Sequence, residues 1–475
     1  MKKFVAIDLG AESGRVIVGD LSKMEIIYRF PNHLVRVKDS IFWDILGIFN
    51  EIKKGLKKAF KKYPHQIVSI GIDAWGVDYV LLDDNGDLLG NPYHYRDKRT
   101  DNIMELVFKR IPKKEIFTET GIQFMQINTI YQLYSFAREK PQVLEDTRYF
   151  LTIPDLLNYW LTGIMKNEYS ITTTTQLYNP IKKDWSTKIM DKLGFKKEIF
   201  GEIIMPGIEV GTLLPAIAQE IGADSEIVII APACHDTGSA VAAVPIEDNT
   251  HYAYISSGTW SLIGIESPKP IISEKSFQFN FTNEGSADGG FRFLKNVTGF
   301  WIIQECKKFW DENTKLYSYD ELTEIAQKYG PADFRIDPDD SRFLKPGLID
   351  DNMPDRIKAY CRETGQKVPE SPAEISRGII ESLADKYTKT IEMIEEITDK
   401  SIKEIYIIGG GSRNGLLCQL VVKATGLPVF AGPVEATAIG NLMIQAKSMG
   451  QIKSIVEGRK IIRRSFDIKK YLPEE

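Results

Sequence analysis

Phe4-Val-Ala-Ile-Asp8-Leu-Gly10-Ala-Glu12-Ser-Gly14-Arg15-Val-Ile-Val18-Gly-Asp20 is an apolar run ending in Asp8, a turn of small and polar residues, and a second apolar run. Short apolar runs punctuated by glycine predict strand, turn, strand. The turn has the makings of a phosphate site. Gly10 and Gly14 allow a ligand to approach closely, and consecutive N–H groups form an anion-binding concavity. Ser13 can donate its hydroxyl proton, Arg15 can face a phosphate, and Asp8 at the strand end can hold Mg²⁺ through water. The competing reading is an ordinary hairpin with a polar turn.

The pattern returns further along. Ala253 to Ser256 reads as a strand, Ser257-Gly258-Thr259 as a small-residue turn, and Trp260 to Ile265 as a strand. This echo points to two related halves. The second turn offers the same donors without charge, as the opposite jaw on one polyphosphate; Ser-Gly-Thr turns are also common for their own sake. A third candidate is Gly409-Gly410-Gly411-Ser412-Arg413-Asn414, after the buried strand Ile405 to Ile408. Three consecutive glycines carry an entropic cost and suggest a backbone pressed against a flat group such as adenine or ribose. A tight strand-to-helix crossover is the alternative. The segment fails the dinucleotide fingerprint, because Asn414 stands where a third glycine is required, and no Gly-x-x-x-x-Gly-Lys-Ser/Thr occurs anywhere.

Two further segments offer sugar chemistry. The strand Ile67 to Ile72 ends in Asp73-Ala74-Trp75-Gly76-Val77-Asp78, where Trp presents an apolar face and Asp can bind hydroxyls; a strand-end turn with a core Trp reads equally well. Ile227 to Ile230 leads into Cys234-His235-Asp236-Thr237-Gly238-Ser239. A carboxylate just after a buried strand can accept a proton from a hydroxyl. It can equally be the N-cap of a helix starting near Thr237.

Between these segments, Ile48 to Phe60 has helical spacing, residues from about 100 to 165 look helical, and 166 to 230 are mixed. Ser371-Pro372-Ala373-Glu374 has capping-box spacing before a helix with Ile375, Ile379, Leu383, Tyr387, Ile391 and Ile394 on one face. Strands alternating with helices imply α/β layers. The polar break at Pro245 to Asn249 sets a boundary between domains 1–244 and 245–475.

At 475 residues the chain is long enough for two or three domains. Its net charge of -5, with acidic and basic residues interspersed, argues against nucleic-acid or anionic-membrane partners. Cys234, Cys306, Cys361 and Cys418 form no Cys-x-x-Cys pair, and the histidines lack metal-ligand spacing; reduced thiols in a cytoplasmic enzyme are expected. The apolar run after Lys2 and Lys3 is too short for a signal peptide, and no stretch approaches a membrane span.

Together these segments resemble the FGGY carbohydrate kinases, from about Val5 to Ala446. Further strings carry the likeness: Tyr95 to Thr100, Asn128 to Leu133, Thr172 to Gln176, Asn296 to Trp301 with Gln304 and Glu305, and Ala431 to Ala436. The resemblance implies two ribonuclease-H-like (actin-like ATPase) domains with a central cleft, the N-terminal one for sugar and the C-terminal one for nucleotide. It implies transfer of the γ-phosphoryl group of ATP, with Mg²⁺, to the 1-hydroxyl of L-rhamnulose in L-rhamnose catabolism. A related ketose, such as L-fuculose or xylulose, is the alternative. Carried onto this chain, Asp236 is the base, flanked at the sugar by His235 and Thr237, while Gly76 and Asn296 also contact the sugar, with Asp78 in the same segment. Ala11, Glu12, Ser13, Gly14, Arg15, Thr259, Gln304, Gly410 and Gly411 hold ATP, and Asp8 orients the metal-bound phosphates. A closing cleft is expected to exclude water. Ala74 and Gly238 depart from the family's usual Thr/Ser and Ala. Actin-like filaments and Hsp70-type chaperones share the fold but lack a dedicated hydroxyl base. The oligomeric state is left open.

Overall fold

The computed structural model describes residues 2–246, 251–347 and 351–474. The chain forms two compact units. The first comprises Met1–Glu247, Glu266–Phe293 and Ala436–Phe466; the second comprises Asp248–Ile265, Leu294–Glu435 and Asp467–Glu475. The sequence reading has the chain cross once, at 244–245; in the structure it also returns to the first unit twice. From residue 247 onward, the expected boundary segment lies outside the described residues.

The first unit is built on a six-stranded sheet in the order Glu209–Thr212, Val228–Ile230, Ile67–Ala74, Lys3–Leu9, Ser13–Gly19, Met24–Pro31. Lys3–Leu9 is antiparallel to Ser13–Gly19 and parallel to Ile67–Ala74, which is in turn parallel to Val228–Ile230. Numbered along the chain, the order is 5-6-4-1-2-3, a mixed sheet of an α/β domain. Phe4 to Ile7 are fully buried, as a central strand covered on both faces requires. The helix Ile45–Lys62 packs on the sheet through Ile45, Ile48, Ile52, Leu56 and Ala59. Its Asp44 N-cap accepts from Gly47 N–H at 3.0 Å. Burying each such Ile or Leu contributes about 1.5–3 kcal/mol.

A second helix, Ala436–Ser448, lies on the same sheet by different means. Gln445 Nε2 donates to Val5 O at 2.9 Å, Ser69 Oγ donates to Gln445 Oε1 at 2.7 Å, and Asn441 Nδ2 donates to Gly71 O at 3.1 Å. A Cβ on Gly440 would stand 1.8 Å from Ser239 O, so only glycine lets this helix touch the helix Asp236–Ala242 backbone to backbone.

The second unit repeats the plan with Trp260–Ser267, Tyr252–Ser257, Glu404–Ile408, Val429–Ala431 and Lys469–Tyr471 in adjacent order. Tyr252–Ser257 is antiparallel to Trp260–Ser267 and parallel to Glu404–Ile408. The echo read from the sequence is therefore a repeated sheet. The helix Pro372–Thr398 buries all six residues of its expected face. Ser371 Oγ accepts Glu374 N–H at 3.2 Å, but the Glu374 carboxylate takes Glu370 N–H at 3.0 Å, so only half of the expected capping box forms.

The region expected to be helical from 100 to 165 holds five helices and, within it, the strand Tyr149–Thr152, antiparallel to Tyr79–Leu82. Tyr-Phe-Leu-Thr has the aromatic and β-branched composition of a strand, and Pro154 opens the helix that follows. All four cysteines are free and buried. Among the described residues no helix is long and apolar enough to cross a membrane.

Candidate active site

Sheet register gathers the first group. Asp8 stands level with Asp73 on the parallel neighbour and with Arg15 on the antiparallel one. Arg15 Nη2 lies 2.6 Å from Asp8 Oδ2. Asp73 is fully buried; its Oδ2 accepts Asn441 Nδ2 at 2.6 Å and its Oδ1 is buried without a hydrogen-bond partner. Burial, with the Asp8 charge second and that of Asp236 a smaller contributor, pushes the Asp73 carboxyl well above the usual range. Ala74 N–H donates to Cys234 O at 2.9 Å and Ala74 bridges His235 in parallel, which brings Asp236 to the same strand ends. The sequence reading has Asp73 head a sugar-binding segment; its place beside Asp8 is what that reading lacks.

The turn beyond Asp8 is closed by Gly10 N–H to Ser13 O at 3.0 Å and braced by Asn32 N–H to Glu12 O at 2.9 Å. Ala11, Ser13 and Arg15 are half-buried and Glu12 is exposed. Gly14 is different: a Cβ there would lie 2.2 Å from the Phe30 ring. The missing side chain at Gly14 is filled by Phe30, whereas a Cβ on Gly10 would have its nearest neighbour at 3.6 Å.

Asp236 is the first residue of its helix, and His235 is the N-cap. The carboxylate accepts from its neighbour Thr237, through N–H and through Oγ1 at 3.1 Å, rather than capping a later turn. Its side chain is 27% exposed in a segment otherwise buried. The segment is held from behind. Glu168 Oε2 accepts Cys234 N–H at 3.0 Å, and Ser170 Oγ accepts His235 N–H at 3.1 Å. Burial lifts the Glu168 carboxyl to about 7 and that of Asp155 beneath it to about 8. His235 Nδ1 stands 3.0 Å from Arg292 Nη2 and 3.3 Å from Glu284 Oε2, while its Nε2 stands 3.5 Å from Asp236 Oδ1.

The Asp73–Asp78 segment runs beside Thr174, whose Oγ1 accepts Val77 N–H at 3.2 Å; a Cβ on Gly76 would sit 3.1 Å from that oxygen. Asp78 is buried. Its Oδ2 accepts the indole N–H of Trp43 at 2.6 Å and of Trp75 at 3.0 Å, and its Oδ1 accepts Gln132 Nε2 at 3.0 Å. Burial raises its carboxyl to about 6 against these donors. Its visible work is fixing two tryptophans in contact, 4.1 Å between centroids and tilted by 32°.

In the second unit, Thr259, Gln304, Gly410 and Gly411 come together. The carbonyls of Gly258 and Thr259 take Phe300 and Trp301 N–H at 2.9 and 3.2 Å, seating the start of the helix Trp301–Asn313 that carries Gln304. Gln304 Oε1 is buried without a hydrogen-bond partner. Gly409 has φ +79° against Ser257 O, and a Cβ on Gly411 would stand 2.1 Å from Ser257 Oγ. Gly410 has nothing within 4 Å on that side. Asn414 caps the helix Gly415–Thr425, so the glycine run is also the tight crossover of the alternative reading. Asn296 lies half-buried in the strand Phe291–Thr298.

Among the described residues no group of three His, Cys, Asp or Glu is arranged to hold a metal directly. The orphaned Asp73 Oδ1 and the adjacent Asp8 fit an ion bound mainly through water and phosphate oxygens, the habit of Mg²⁺.

Residues 3–243 match the FGGY family of carbohydrate kinases, N-terminal domain, and residues 253–449 match its C-terminal domain. A rhamnulokinase of Halalkalibacterium halodurans is 45% identical over 475 residues, 99% of both chains. One of Bacteroides thetaiotaomicron is 43% identical, covering 100% of this chain and 96% of the relative. In fold, a ligand-bound xylulose kinase of Lactobacillus acidophilus has a TM-score of 0.81 at 16% identity, covering 100% of this chain and 94% of its own. A glycerol kinase of Plasmodium falciparum with ADP has a TM-score of 0.77 at 14% identity, covering 98% and 94%.

Proposed function

Because the chain belongs to the FGGY family of carbohydrate kinases, we propose that it transfers the γ-phosphoryl group of ATP to the 1-hydroxyl of L-rhamnulose. Relatives 39–45% identical over nearly the whole chain carry the name rhamnulokinase, which supports this sugar over L-fuculose or xylulose. The observation that carries the chemistry is Asp236: a partly exposed carboxylate, bonded to its neighbour Thr237, at a strand end where the surrounding residues are buried.

In this reading Asp236 takes the proton of the 1-hydroxyl as its oxygen forms the bond to the γ-phosphorus. The bond from that phosphorus to the β–γ bridging oxygen breaks, and ADP leaves with its electron pair. His235 and Thr237 flank the sugar; Trp75, fixed by Asp78, supplies an apolar face beside Gly76. Asn296 is a further sugar contact. Ala11, Glu12, Ser13, Gly14 and Arg15 serve phosphate through main-chain donors and the guanidinium. Thr259, Gln304, Gly410 and Gly411 serve the nucleotide, with the orphaned Gln304 Oε1 as one acceptor. Asp8 would hold Mg²⁺ through water. When bound, the ion neutralises phosphate charge. The enzyme works in the cytoplasm. An enzyme-coupled assay over L-rhamnulose, L-fuculose, D-xylulose and L-ribulose tests the sugar: kcat/KM is highest for L-rhamnulose, and a higher value for another ketose overturns the assignment.

A further inference from the structure

His235 is held from behind by a fully buried charge pair. Arg292 has none of its surface exposed. Its Nε donates to Gly285 O at 3.0 Å, and its Nη2 faces both Glu284 Oε2 at 3.2 Å and His235 Nδ1 at 3.0 Å. A guanidinium has donors only and keeps its charge in proteins. At 3.0 Å from that donor the imidazole Nδ1 is placed to accept, the Glu284 oxygen at 3.3 Å being the longer contact that an Nδ1–H would use instead. One Nη2 hydrogen serves His235 and the other serves Glu284, which accounts for the triangle without a proton on Nδ1. A neutral imidazole with Nδ1 bare carries its proton on Nε2.

Nε2 is the atom that faces Asp236, 3.5 Å from Oδ1. The two groups stand side by side, and a hydroxyl that bonds to both spreads them to about 4.5 Å, the separation of two hydrogen-bond partners of one oxygen. A hydroxyl placed there accepts from Nε2–H with one lone pair and points its own proton at the Asp236 carboxylate. A second lone pair stays free for phosphorus. We infer that Arg292 is a positioning residue that locks His235 as the Nε2–H tautomer, making it a permanent donor that aims the acceptor hydroxyl at Asp236. The inference rests on the reading of Asp236 as the base. Burying an ion pair is costly and rarely favours stability over an apolar pair of the same shape, so a buried Arg292–Glu284 pair behind His235 fits a role in specifying that side chain.

The test uses the full chain. Arg292→Met alone removes the buried cation beside the Glu284 carboxylate, so the paired variant Arg292→Met/Glu284→Gln is made beside it to preserve folding. Histidine-selective ¹⁵N labelling, with His235→Gln to assign its signals among the five histidines, reads the tautomer by two-bond couplings. The wild-type chain shows Nε2 protonated and Nδ1 bare. The paired variant shows both tautomers, and its kcat/KM for the ketose falls roughly tenfold, the worth of one hydrogen bond. A wild-type Nδ1–H overturns the inference, as does a paired variant with mixed tautomers and unchanged kcat/KM. A wild-type chain with Nε2–H but no ketose-dependent ATP turnover upholds the lock and defeats the reading of Asp236 instead.

Discussion

Asn441, late in the chain, donates through Nδ2 to the buried carboxylate of Asp73, on the strand paired in parallel with Lys3–Leu9, at 2.6 Å. The same amide nitrogen reaches Gly71 O, and its Oδ1 accepts Gln445 Nε2 at 2.6 Å. A helix from the last tenth of the chain thus completes the strand ends that carry Asp8 and Asp73. Asn441→Leu keeps the volume and removes these bonds, leaving Asp73 and Gln445 groups buried and unmatched. The expected loss is about 1–3 kcal/mol of stability. Urea unfolding measures it; an unchanged midpoint would show that the polar seam is dispensable.

Asp155 ties stability to pH. Its Oδ2 accepts Thr152 Oγ1 at 2.6 Å and its Oδ1 accepts Glu168 N–H at 3.1 Å. Burial raises its carboxyl from 3.8 to about 8, with the Glu168 charge adding to the rise. The folded state therefore keeps the proton that the unfolded chain releases above about pH 4. Stability from this group is fully present below the unfolded value and is lost as pH climbs toward 8. Asp155→Asn removes the linkage, so its melting temperature should vary less between pH 5 and 8 than that of the wild type. Parallel curves would place the proton elsewhere.

Two adjacent glycines should behave differently. Alanine at 411 drives its Cβ into Ser257, and a loss of about 1–3 kcal/mol is expected from the overpacking. Alanine at 410 meets nothing within 4 Å, so the melting temperature should hold while the KM for ATP rises. If Gly410→Ala leaves the KM for ATP unchanged, the nucleotide does not lie on that face.

Thr259 lends its carbonyl to Gly299 and Trp301 N–H at 3.1 and 3.2 Å, so the turn is built from main chain. Thr259→Val should keep the fold and lose only the hydroxyl. The KM for ATP should rise roughly tenfold with the KM for sugar nearly constant. Equal rises in both would move Thr259 out of the nucleotide site.

Local pattern carried much of this architecture. The hairpin at Phe4–Asp20, its echo at Ala253–Ile265 and the face of the helix from Pro372 were readable because their periods are short and glycine or proline marks their ends. The long-range parts left no such mark. Arg292 and Glu284 reach His235 from strands 49 or more residues away in sequence, with no spacing to announce them. Asp78 reads as a sugar ligand from its motif, yet its oxygens are taken by Trp43, Trp75 and Gln132. Gly14 reads as a glycine freed for phosphate, yet Phe30, packed from the neighbouring strand, needs the room. Asp73 reads as the head of a sugar motif, and its pairing with Asp8 appears only once parallel register sets the two level.

The central claim is that the Asp236 carboxylate accepts the sugar's proton. Asp236→Asn keeps the shape and the Thr237 contact while removing the base. Steady-state turnover with L-rhamnulose and ATP, beside sugar binding by calorimetry, separates chemistry from affinity. The account predicts that kcat falls about 10²–10⁴-fold with sugar affinity nearly unchanged; turnover close to that of the wild type would contradict it.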